Sequence, residues 1–297
     1  IQFPGTTEYF TSAAQWYIIM GLTFTKLQGN GNDFILIDEM AGVVIPDDMK
    51  AHFAVSYCDR RFGIGADGVL FISPSDAADV RMRLFQPDAS EAEMCGNGIR
   101  CLAKYAFDNA YADCKNADTF TVETLAGVLA VRAGYCEGGS FSATIDMGTP
   151  MYNAPEIPAA GTGEFSADID GMTVYAANTG VPHAVVFVDT VEDVDLDAVA
   201  PKIRHNALFP KGTNVNFVEV TGQSAITIRT FERGVEGETL SCGTGSTASA
   251  LIAAKVGKVT GDVIHVDTVG GPLDITVGSC AKMTGPAETV FVGEILF

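Results

Sequence analysis

Short apolar runs separated by turn residues dominate the pattern of this chain. Runs rich in β-branched and aromatic residues, bounded by glycine, proline or polar residues, are typical of strands. They lie at 34–37, 69–72, 128–131, 185–188, 215–220, 226–228 and 290–297. Since none approaches the length of about 18 apolar residues that a membrane helix requires, no association with a membrane is expected.

Two further segments have helical periodicity, and each begins at a Cys-Gly-x-Gly sequence. In the first, apolar residues recur at helical spacing and charged residues occupy the other face. The apolar set is Ile99, Leu102, Ala103 and Ala106, and the charged set is Arg100, Lys104 and Asp108. The second segment, 246–256, is apolar nearly all round, which predicts a helix buried in its lobe. One helix is therefore expected in each half of the chain.

Both helical segments belong to an internal repeat. Four pairs of similar segments are 31–38 with 180–189, 65–71 with 212–217, 83–85 with 229–231, and 95–98 with 242–245. The pairs occur in the same order and at nearly constant separation, which chance matches in a glycine-rich chain do not explain. The chain is therefore expected to fold as two similar lobes that face each other across a pseudo-two-fold axis, connected through 150–171.

Composition agrees with a folded protein of this size. The chain has 297 residues, of which 47% are hydrophobic, so wholesale disorder is excluded and two lobes of about 150 residues can each bury a core. The formal net charge is −19 and no basic run occurs. Nucleic-acid binding is not expected, because it depends on Lys and Arg contacts to phosphate.

The cysteines and the first residues indicate the compartment. Seven cysteines spread over a long chain, without a Cys-x-x-Cys pair, predict free thiols in the cytoplasm rather than a disulfide framework. Residues 1–19 contain no Lys or Arg and so lack the positive region of a secretory signal. They are expected to form an extension outside the fold.

The repeated Cys-Gly-x-Gly sequences carry the candidate chemistry. A cysteine at a helix start lies beside unpaired N–H groups and the positive end of the helix dipole, which together bind a small carboxylate. The same field is expected to lower the pKa of a thiol from about 8.5 toward neutrality. Each lobe would thus present a reactive sulfur, Cys95 or Cys242, beside a carboxylate cradle.

Two opposed thiols suit one reaction well. If the lobes face each other, Cys95 and Cys242 would approach one α-carbon from its two sides. A thiolate could then remove the α-proton while the opposite thiol protonates the other face, so the centre would be inverted without a cofactor. Because the α-proton is very weakly acidic, N–H donors and exclusion of water must stabilise the carbanion.

Two other kinds of site are disfavoured. No His lies at ligand spacing from Cys95 or Cys242, so a metal site is not expected. The segment 63–68 matches a dinucleotide-binding fingerprint, but a strand-like run follows it where that fingerprint requires a helix.

These motifs resemble the diaminopimelate epimerase family. The segments that carry the resemblance are 29–34, 95–101, 182–183, 212–217, 231–234 and 241–245, in order along the chain. The resemblance implies a cofactor-independent isomerase that interconverts LL- and meso-diaminopimelate in lysine biosynthesis. It also implies a homodimer whose subunit has two α/β lobes, each a curled, mostly antiparallel sheet around a central helix, with the active site between them. The lobes would span 20–147, with a returning strand 288–297, and 148–287.

The resemblance also assigns site residues. Cys95 would be the proton donor and Cys242 the acceptor, with the roles exchanged for the reverse substrate. The substrate contacts would be made by Asn32, Gln86, Gly96, Asn97, Asn214, Glu232, Arg233, Gly243 and Thr244. Glu232 and Arg233 would hold the distal ammonium and carboxylate, and Arg is suited to this because its fork meets a carboxylate bidentately. His183 would support the site or serve only in packing.

Three positions depart from the family pattern. Gly68 replaces a glutamine, Gln86 replaces an asparagine, and Val181 replaces an asparagine. Because sites built to hydrogen-bond a polar group discriminate strongly, these changes leave a related racemase or epimerase of another polar amino acid as an alternative. A third hypothesis is a protein that binds an amino acid without catalysis.

Overall fold

The computed structural model describes residues 21–111 and 119–296, so the expected extension at 1–19 lies outside the described residues. The strands of the first half are β1 Gly21–Gly29, β2 Asn32–Asp38, β3 Gly68–Ser73, β4 Val80–Phe85, β5 Glu91–Ala92, β6 Thr119–Thr124, β7 Gly127–Tyr135 and β8 Phe141–Gly148. Those of the second half are β9 Ser166–Ile169, β10 Met172–Asn178, β11 Pro182–Phe187, β12 Asn214–Gly222, β13 Ala225–Glu232, β14 Gly237–Thr239, β15 Val263–Thr268, β16 Gly271–Thr276, β17 Ala281–Pro286 and β18 Glu288–Leu296. The helices are α1 Asp47–Cys58, α2 Gly96–Asp108, α3 Leu196–Arg204 and α4 Gly243–Lys255.

The two halves repeat one topology. In the first, β1 pairs antiparallel with β2, β2 parallel with β3, β3 antiparallel with β4, and β4 parallel with β6, followed by β7 and β8. The second half repeats this order of antiparallel and parallel pairs with the strands β10, β11, β12, β13, β15, β16 and β17. The predicted repeat is therefore confirmed at the level of strand pairing.

Each curled sheet surrounds one helix. Helix α2 contacts β1, β2, β3, β4, β7 and β8, and helix α4 contacts β10, β11, β12, β13, β15 and β16. The predicted architecture of two α/β lobes, each with a central helix, is confirmed. Each helix that follows a cysteine is held on several sides, which fixes the position of its first turn.

The lobes are joined through strand pairing. β8 and β17 pair antiparallel, so the last strand of one curled sheet continues into that of the other. The C-terminal strand β18 leaves the second lobe and pairs antiparallel with β1. These two ladders fix the orientation of one lobe relative to the other.

The expectation of one helix in each half was wrong. α1 connects the parallel strands β2 and β3, and α3 connects the corresponding strands β11 and β12. Parallel neighbours need such a crossover. In α1 the apolar residues do not follow helical spacing, so periodicity gave no signal. None of the helices in the described ranges is long and apolar enough to cross a bilayer.

Two of the three charged residues of α2, Arg100 and Lys104, are also buried, because the sheet surrounds the helix, whereas Asp108 is exposed. Arg100 is fully buried, and its guanidinium donates to the Asn30 side chain at 2.6 Å and to the carbonyl of Pro286 at 2.9 Å. It thereby connects the β1–β2 turn, the central helix and the end of β17 in the second lobe. The amphipathic pattern predicted helix α2 correctly, but it did not predict that Arg100 and Lys104 on its charged face are buried.

A cluster of charges packs beside β2 and β3. The Asp33 carboxylate lies 2.6 Å from Lys26 Nζ and 2.6 Å from the Arg60 guanidinium. Partial burial favours the neutral acid, but hydrogen bonds from Arg60 and Lys26 outweigh it and lower the pKa of Asp33 to about 2. The folded state therefore binds this proton more weakly than the unfolded chain does.

Asp33→Asn tests this linkage. A lowered folded pKa gives stability that is present above the ordinary pKa of 3.8 and is lost as the pH falls toward about 2. The free energy of unfolding of wild type should therefore exceed that of Asp33→Asn at neutral pH, and the difference should shrink across this window. Urea unfolding at several pH values measures it, with the exposed Asp48→Asn as the control. A difference that does not change with pH would contradict the linkage.

Candidate active site

Two cysteines occupy the positions immediately before the central helices. Cys95 is the N-cap of α2, where its extended backbone lets Sγ accept the Gly98 N–H at 3.4 Å. Cys242 is the extended N-cap of α4. Because the first N–H groups of a helix have no partner within it, each cysteine lies beside unused donors.

The starts of these two helices face each other. A Cβ built on Gly243 would lie 3.8 Å from Gly96 Cα and 2.8 Å from Met283 Sδ, so no side chain separates the two turns. Across the same junction the Asn97 side chain donates to the carbonyl of Ser241 at 3.1 Å. The two Cys-Gly-x-Gly sequences thus lie against each other, one from each lobe.

An amide and a carboxylate accompany Cys95. The Asn32 side chain donates from Nδ2 to Asp67 at 2.6 Å, which turns its Oδ1 toward the sulfur of Cys95 at 3.7 Å. The same Oδ1 accepts from Asn97 Nδ2 at 3.3 Å. Asp67 was not predicted as a site residue, although it lies within the glycine-rich segment 63–68 that matches a dinucleotide-binding fingerprint.

A different set of groups accompanies Cys242. The Thr244 hydroxyl lies 3.4 Å from the sulfur and 2.8 Å from His183 Nε2. His183 Nδ1 in turn lies 3.2 Å from the Asn216 side-chain nitrogen. Asn216 was not singled out from the sequence, because an asparagine within a strand gives no local signal of its neighbours.

The expected lowering of both thiol pKa values is wrong for this structure. Burial raises the pKa of Cys95, and the N–H groups of Gly98 and Asn97 offset only part of that effect. Burial also raises the pKa of Cys242 to about 12, and the negative charge of Glu232 adds to it. Loss of water therefore outweighs the helix-start donors.

Glu232 and Arg233 lie at the end of β13. Partial burial raises the pKa of Glu232, and the charge of Asp67 adds to this. The Arg233 backbone N–H donates to Asn214 Oδ1 at 2.7 Å, while Asn214 Nδ2 donates to the carbonyl of Pro182 at 3.0 Å. The negative charge of Glu232 raises the pKa of both thiols.

The three departures from the family pattern lie in different environments. Gln86 is exposed on the turn after β4, where it accepts from Ser90 Oγ at 3.0 Å. At Gly68 a Cβ would lie 2.7 Å from Leu84 Cδ1, so the missing side chain leaves no open space there. Val181 is half-buried, directly before β11.

Comparison with known proteins gives a consistent result. A family model described as diaminopimelate epimerase matches residues 24–152 and 175–290. A diaminopimelate epimerase from Methanothrix thermoacetophila is 53% identical over 276 residues, covering 92% of this chain and 96% of that protein. One from Archaeoglobus fulgidus is 50% identical over 278 residues, with the same coverage of 92% and 96%.

Solved structures share the fold at low sequence identity. A protein of the PhzF phenazine biosynthesis family from Bacillus anthracis has a TM-score of 0.69 at 17% identity, covering 94% of this chain and 100% of its own. A hydroxyproline epimerase from Agrobacterium vitis has a TM-score of 0.63 at 18% identity, covering 93% and 91%. The likeness to the structures concerns the fold, whereas the family match and the close relatives span most of the sequence. This chain belongs to the diaminopimelate epimerase family.

Proposed function

We propose that this protein interconverts LL- and meso-diaminopimelate without a cofactor, by proton transfers at the α-carbon between Cys95 and Cys242. Membership of the family makes it an amino-acid epimerase, an isomerase. The observation that carries the mechanism is the meeting of two helix starts, each preceded by a cysteine, with only glycine between them. A carbon held there has a sulfur available on each side.

The substrate carboxylate fits between the helix starts. The first-turn N–H groups of Gly96, Asn97, Gly243 and Thr244 and the positive ends of two helix dipoles favour an anion. These groups also stabilise the negative charge that spreads onto the carboxylate when the α-proton leaves. The cradle therefore acts on the carbanion more strongly than on the substrate, which is the requirement for catalysis.

The ammonium of the reacting centre fits the acidic side of the cleft. Asn97 Oδ1 is buried without a hydrogen-bond partner, and Asn32 lies beside it. Glu232 is near enough to raise the pKa of both thiols, so we assign it to this ammonium rather than to the distal one. A bound ammonium would neutralise the charge that opposes thiol ionisation, so substrate binding itself would assist formation of the thiolate.

Each turnover moves two protons. One cysteine thiolate takes the α-proton and becomes a thiol, while the opposite thiol protonates the carbanion on its other face and becomes a thiolate. No electrons are lost or gained and no other group is consumed. The two sulfurs therefore exchange protonation states, and the enzyme is then ready for the reverse substrate.

The far end of the substrate would meet Arg233 and Asn214. Arg233 presents a charged fork to a distal carboxylate, and its backbone is fixed by Asn214. Diaminopimelate carries a second carboxylate and ammonium that such groups can recognise. The altered positions Gly68, Gln86 and Val181 keep a related racemase of another polar amino acid as the second candidate.

The proposed chemistry also indicates the compartment in which the protein acts. Proton transfer by Cys95 and Cys242 requires both thiols to remain reduced, which the cytoplasm provides. The meso product is the form consumed in lysine biosynthesis, and we place the reaction there.

We also propose a homodimer formed through β18. Among the described strands, β18 pairs with β1 alone, and its residues Val290 and Val292 are 56% and 63% exposed. An edge strand with exposed apolar side chains is a template for pairing with another chain. A second copy of the same strand would cover these residues.

Replacement of either cysteine by serine tests the reaction. A hydroxyl is a much weaker acid than a thiol, so Cys95→Ser and Cys242→Ser should each lower kcat/KM for LL-diaminopimelate by about 10²–10⁴-fold. The exposed Cys136→Ser is the matched control and should keep full activity. Full activity in either active-site variant would contradict the assigned roles.

A panel of free amino acids separates the two candidate substrates in the same assay. Saturable epimerisation of LL-diaminopimelate, with much slower reaction of the others, supports the first. Saturable activity on another amino acid, with none on diaminopimelate, would reject it. Binding without any α-proton exchange would identify a non-catalytic protein.

Val290→Lys combined with Val292→Lys tests the dimer. Two lysines on one edge repel their copies and oppose pairing, so the protein should elute as a monomer while wild type is a dimer. Light scattering after size-exclusion chromatography gives both masses. Val263→Lys, at a residue 48% exposed on β15, is the control and should leave the dimer intact. A monomeric wild type, or a dimeric double variant, would refute this interface.

A further inference from the structure

Arg100 is a fully buried cation whose guanidinium donates to neutral groups. Its acceptors are the carbonyl of Pro286 at 2.9 Å, the Asn30 side chain at 2.6 Å and the carbonyl of Gly96 at 3.3 Å. Within residues 21–111 and 119–296, no Asp or Glu forms an ion pair with it. A charge that is taken out of water costs much free energy unless an opposite charge compensates it.

The guanidinium stays charged despite its burial. Loss of water lowers the pKa of Arg100 to about 10, which is still well above physiological pH. Arginine keeps its proton in proteins. A fixed positive charge therefore lies inside the first lobe and attracts any anion that binds near it.

A second buried cation of the same helix is balanced. Lys104 lies one turn further along α2, where its Nζ donates to Asp108 at 2.8 Å and to the Tyr135 hydroxyl at 2.7 Å. Among the described residues, a carboxylate thus compensates one buried cation of α2 and none compensates the other. The difference follows the position of each cation along the helix, because Arg100 is the one nearer the helix start.

The guanidinium lies directly behind the junction of the two helix starts. Nη1 is 3.3 Å from the carbonyl of Gly96, the first residue of α2, and 3.8 Å from Met283 Sδ. Met283 borders that junction, since a Cβ on Gly96 would lie 2.7 Å from its Cε and one on Gly243 would lie 2.8 Å from its Sδ. One peptide group and one thioether therefore separate the charge from the place where the substrate carboxylate is proposed to bind.

The peptide between Gly96 and Asn97 connects the charge to that place. Its carbonyl accepts from Arg100, and its N–H is one of the first-turn donors of α2 that are proposed to bind the carboxylate. A donor on the carbonyl polarises the peptide and strengthens its N–H as a donor, because hydrogen bonds in series reinforce one another. The field of the guanidinium acts in the same direction.

The second lobe makes the corresponding contact without a charge. Thr247 occupies the position in α4 that Arg100 occupies in α2, five residues after the cysteine. Its hydroxyl donates to the carbonyl of Gly243, the counterpart of Gly96, at 2.9 Å. A hydroxyl is therefore sufficient to hydrogen-bond the first carbonyl of such a helix, and the charge of Arg100 goes beyond what this contact requires.

The guanidinium is also held in a fixed position. A Cβ on Gly29 would lie 3.1 Å from Nη2 and one on Gly285 would lie 3.1 Å from Nε, so glycine lets both strands approach it closely. Three hydrogen bonds to the backbone and to Asn30 add to this constraint. A charge fixed in advance needs no reorganisation when negative charge develops beside it, which is the most effective form of electrostatic catalysis.

We propose that Arg100 is a positioning residue whose buried positive charge, acting through the peptide between Gly96 and Asn97, attracts the α-carboxylate of the substrate and stabilises the carbanion formed from it. The inference rests on the proposed function and adds to it the counter-charge of the reacting carboxylate. It assigns no direct contact between Arg100 and the substrate.

The charge acts more strongly on the carbanion than on the substrate. The bound carboxylate carries one negative charge, and the electron pair left behind by the α-proton spreads onto it and adds to that charge. Attraction to a fixed cation grows in proportion. Arg100 should therefore increase kcat as well as the affinity for the substrate.

Replacing Arg100 by lysine and by glutamine separates its charge from its hydrogen bonds. Both replacements lose the fork that reaches Asn30 and Pro286, but lysine keeps the charge. In Arg100→Gln, kcat for LL-diaminopimelate should fall about tenfold and KM should rise about tenfold, as expected for the loss of one unit charge near the site. Arg100→Lys should recover most of both. Equal losses in the two variants, or full activity in Arg100→Gln, would overturn the proposal.

Lys104→Gln is the matched control. It removes the other buried cation of α2, the one that is paired with Asp108, and should leave kcat and KM unchanged. A loss as large as that of Arg100→Gln would mean that any buried charge of this helix matters equally, and would contradict the special role of Arg100.

A carboxylate placed against Arg100 tests the same charge without removing the arginine. Asn30→Asp keeps an acceptor beside the guanidinium and makes it negative, so kcat/KM should fall. Asn30→Gly, at a residue whose φ of 52° suits glycine, loses the same donation to the carbonyl of Pro272 without adding a charge. Lower activity in Asn30→Asp than in Asn30→Gly supports the proposal, and the reverse order overturns it. This comparison remains if the variants of Arg100 do not fold.

Affinity measured without turnover distinguishes this inference from the proposed reaction. In protein carrying both Cys95→Ser and Cys242→Ser, calorimetry should give a Kd for LL-diaminopimelate that rises about tenfold on adding Arg100→Gln and changes little on adding Arg100→Lys. An unchanged Kd in Arg100→Gln would overturn the role of Arg100 and leave the reaction standing. If this difference in binding is found but the wild type does not epimerise diaminopimelate, the proposed function fails and the role of Arg100 stands.

Discussion

The close approach of two helix starts is the constraint on which the rest of this structure depends. Gly96 and Gly243 meet above Met283, with no side chain between them. That junction exists because α2 and α4 are each surrounded by a curled sheet and because β8 and β17 join the two sheets edge to edge. Packing that extends over both lobes thus fixes the separation of two short turns, and the chemistry we propose needs that separation.

Symmetry of the backbone and asymmetry of the side chains serve different purposes here. The repeated topology gives both faces of a substrate carbon the same kind of helix start. The side chains around it differ, since corresponding positions at the beginning of the second strand of each lobe hold Asp33 and His183. The first belongs to a cluster of charges, and the second is a buried histidine whose Nε2 lies 2.8 Å from the Thr244 hydroxyl.

Much of the architecture could be predicted from local pattern. The strand runs at 34–37, 69–72 and 215–220 lie in β2, β3 and β12, and the apolar segment after Cys242 forms the buried helix α4. The internal repeat predicted two lobes of similar topology, because duplicated segments fold alike. Helix α1 was missed because its apolar residues do not follow helical spacing. Helix α3 does have that spacing, at Leu196, Val199, Ala200 and Ile203, but it is only nine residues long and contains Pro201, a residue that disfavours helix interiors.

The surroundings of the site could be predicted less well, because they depend on contacts between distant parts of the chain. Asp67 and Asn216 act through partners that are far away in sequence, and nothing adjacent to them indicates it. The expected lowering of the thiol pKa values considered the helix dipole alone. The folded lobes also remove water from both sulfurs, and that effect is larger. We expect the ammonium group of the bound substrate to oppose this effect and to favour ionisation of a thiol.

The most direct measurement of the central claim is the position of solvent label early in the reaction. In deuterated water, two sulfurs acting from opposite faces predict that the first meso product carries deuterium at its inverted α-carbon while the remaining LL substrate carries none. Deuterium appearing equally early in the recovered substrate would mean that one group serves both faces, and would contradict the account.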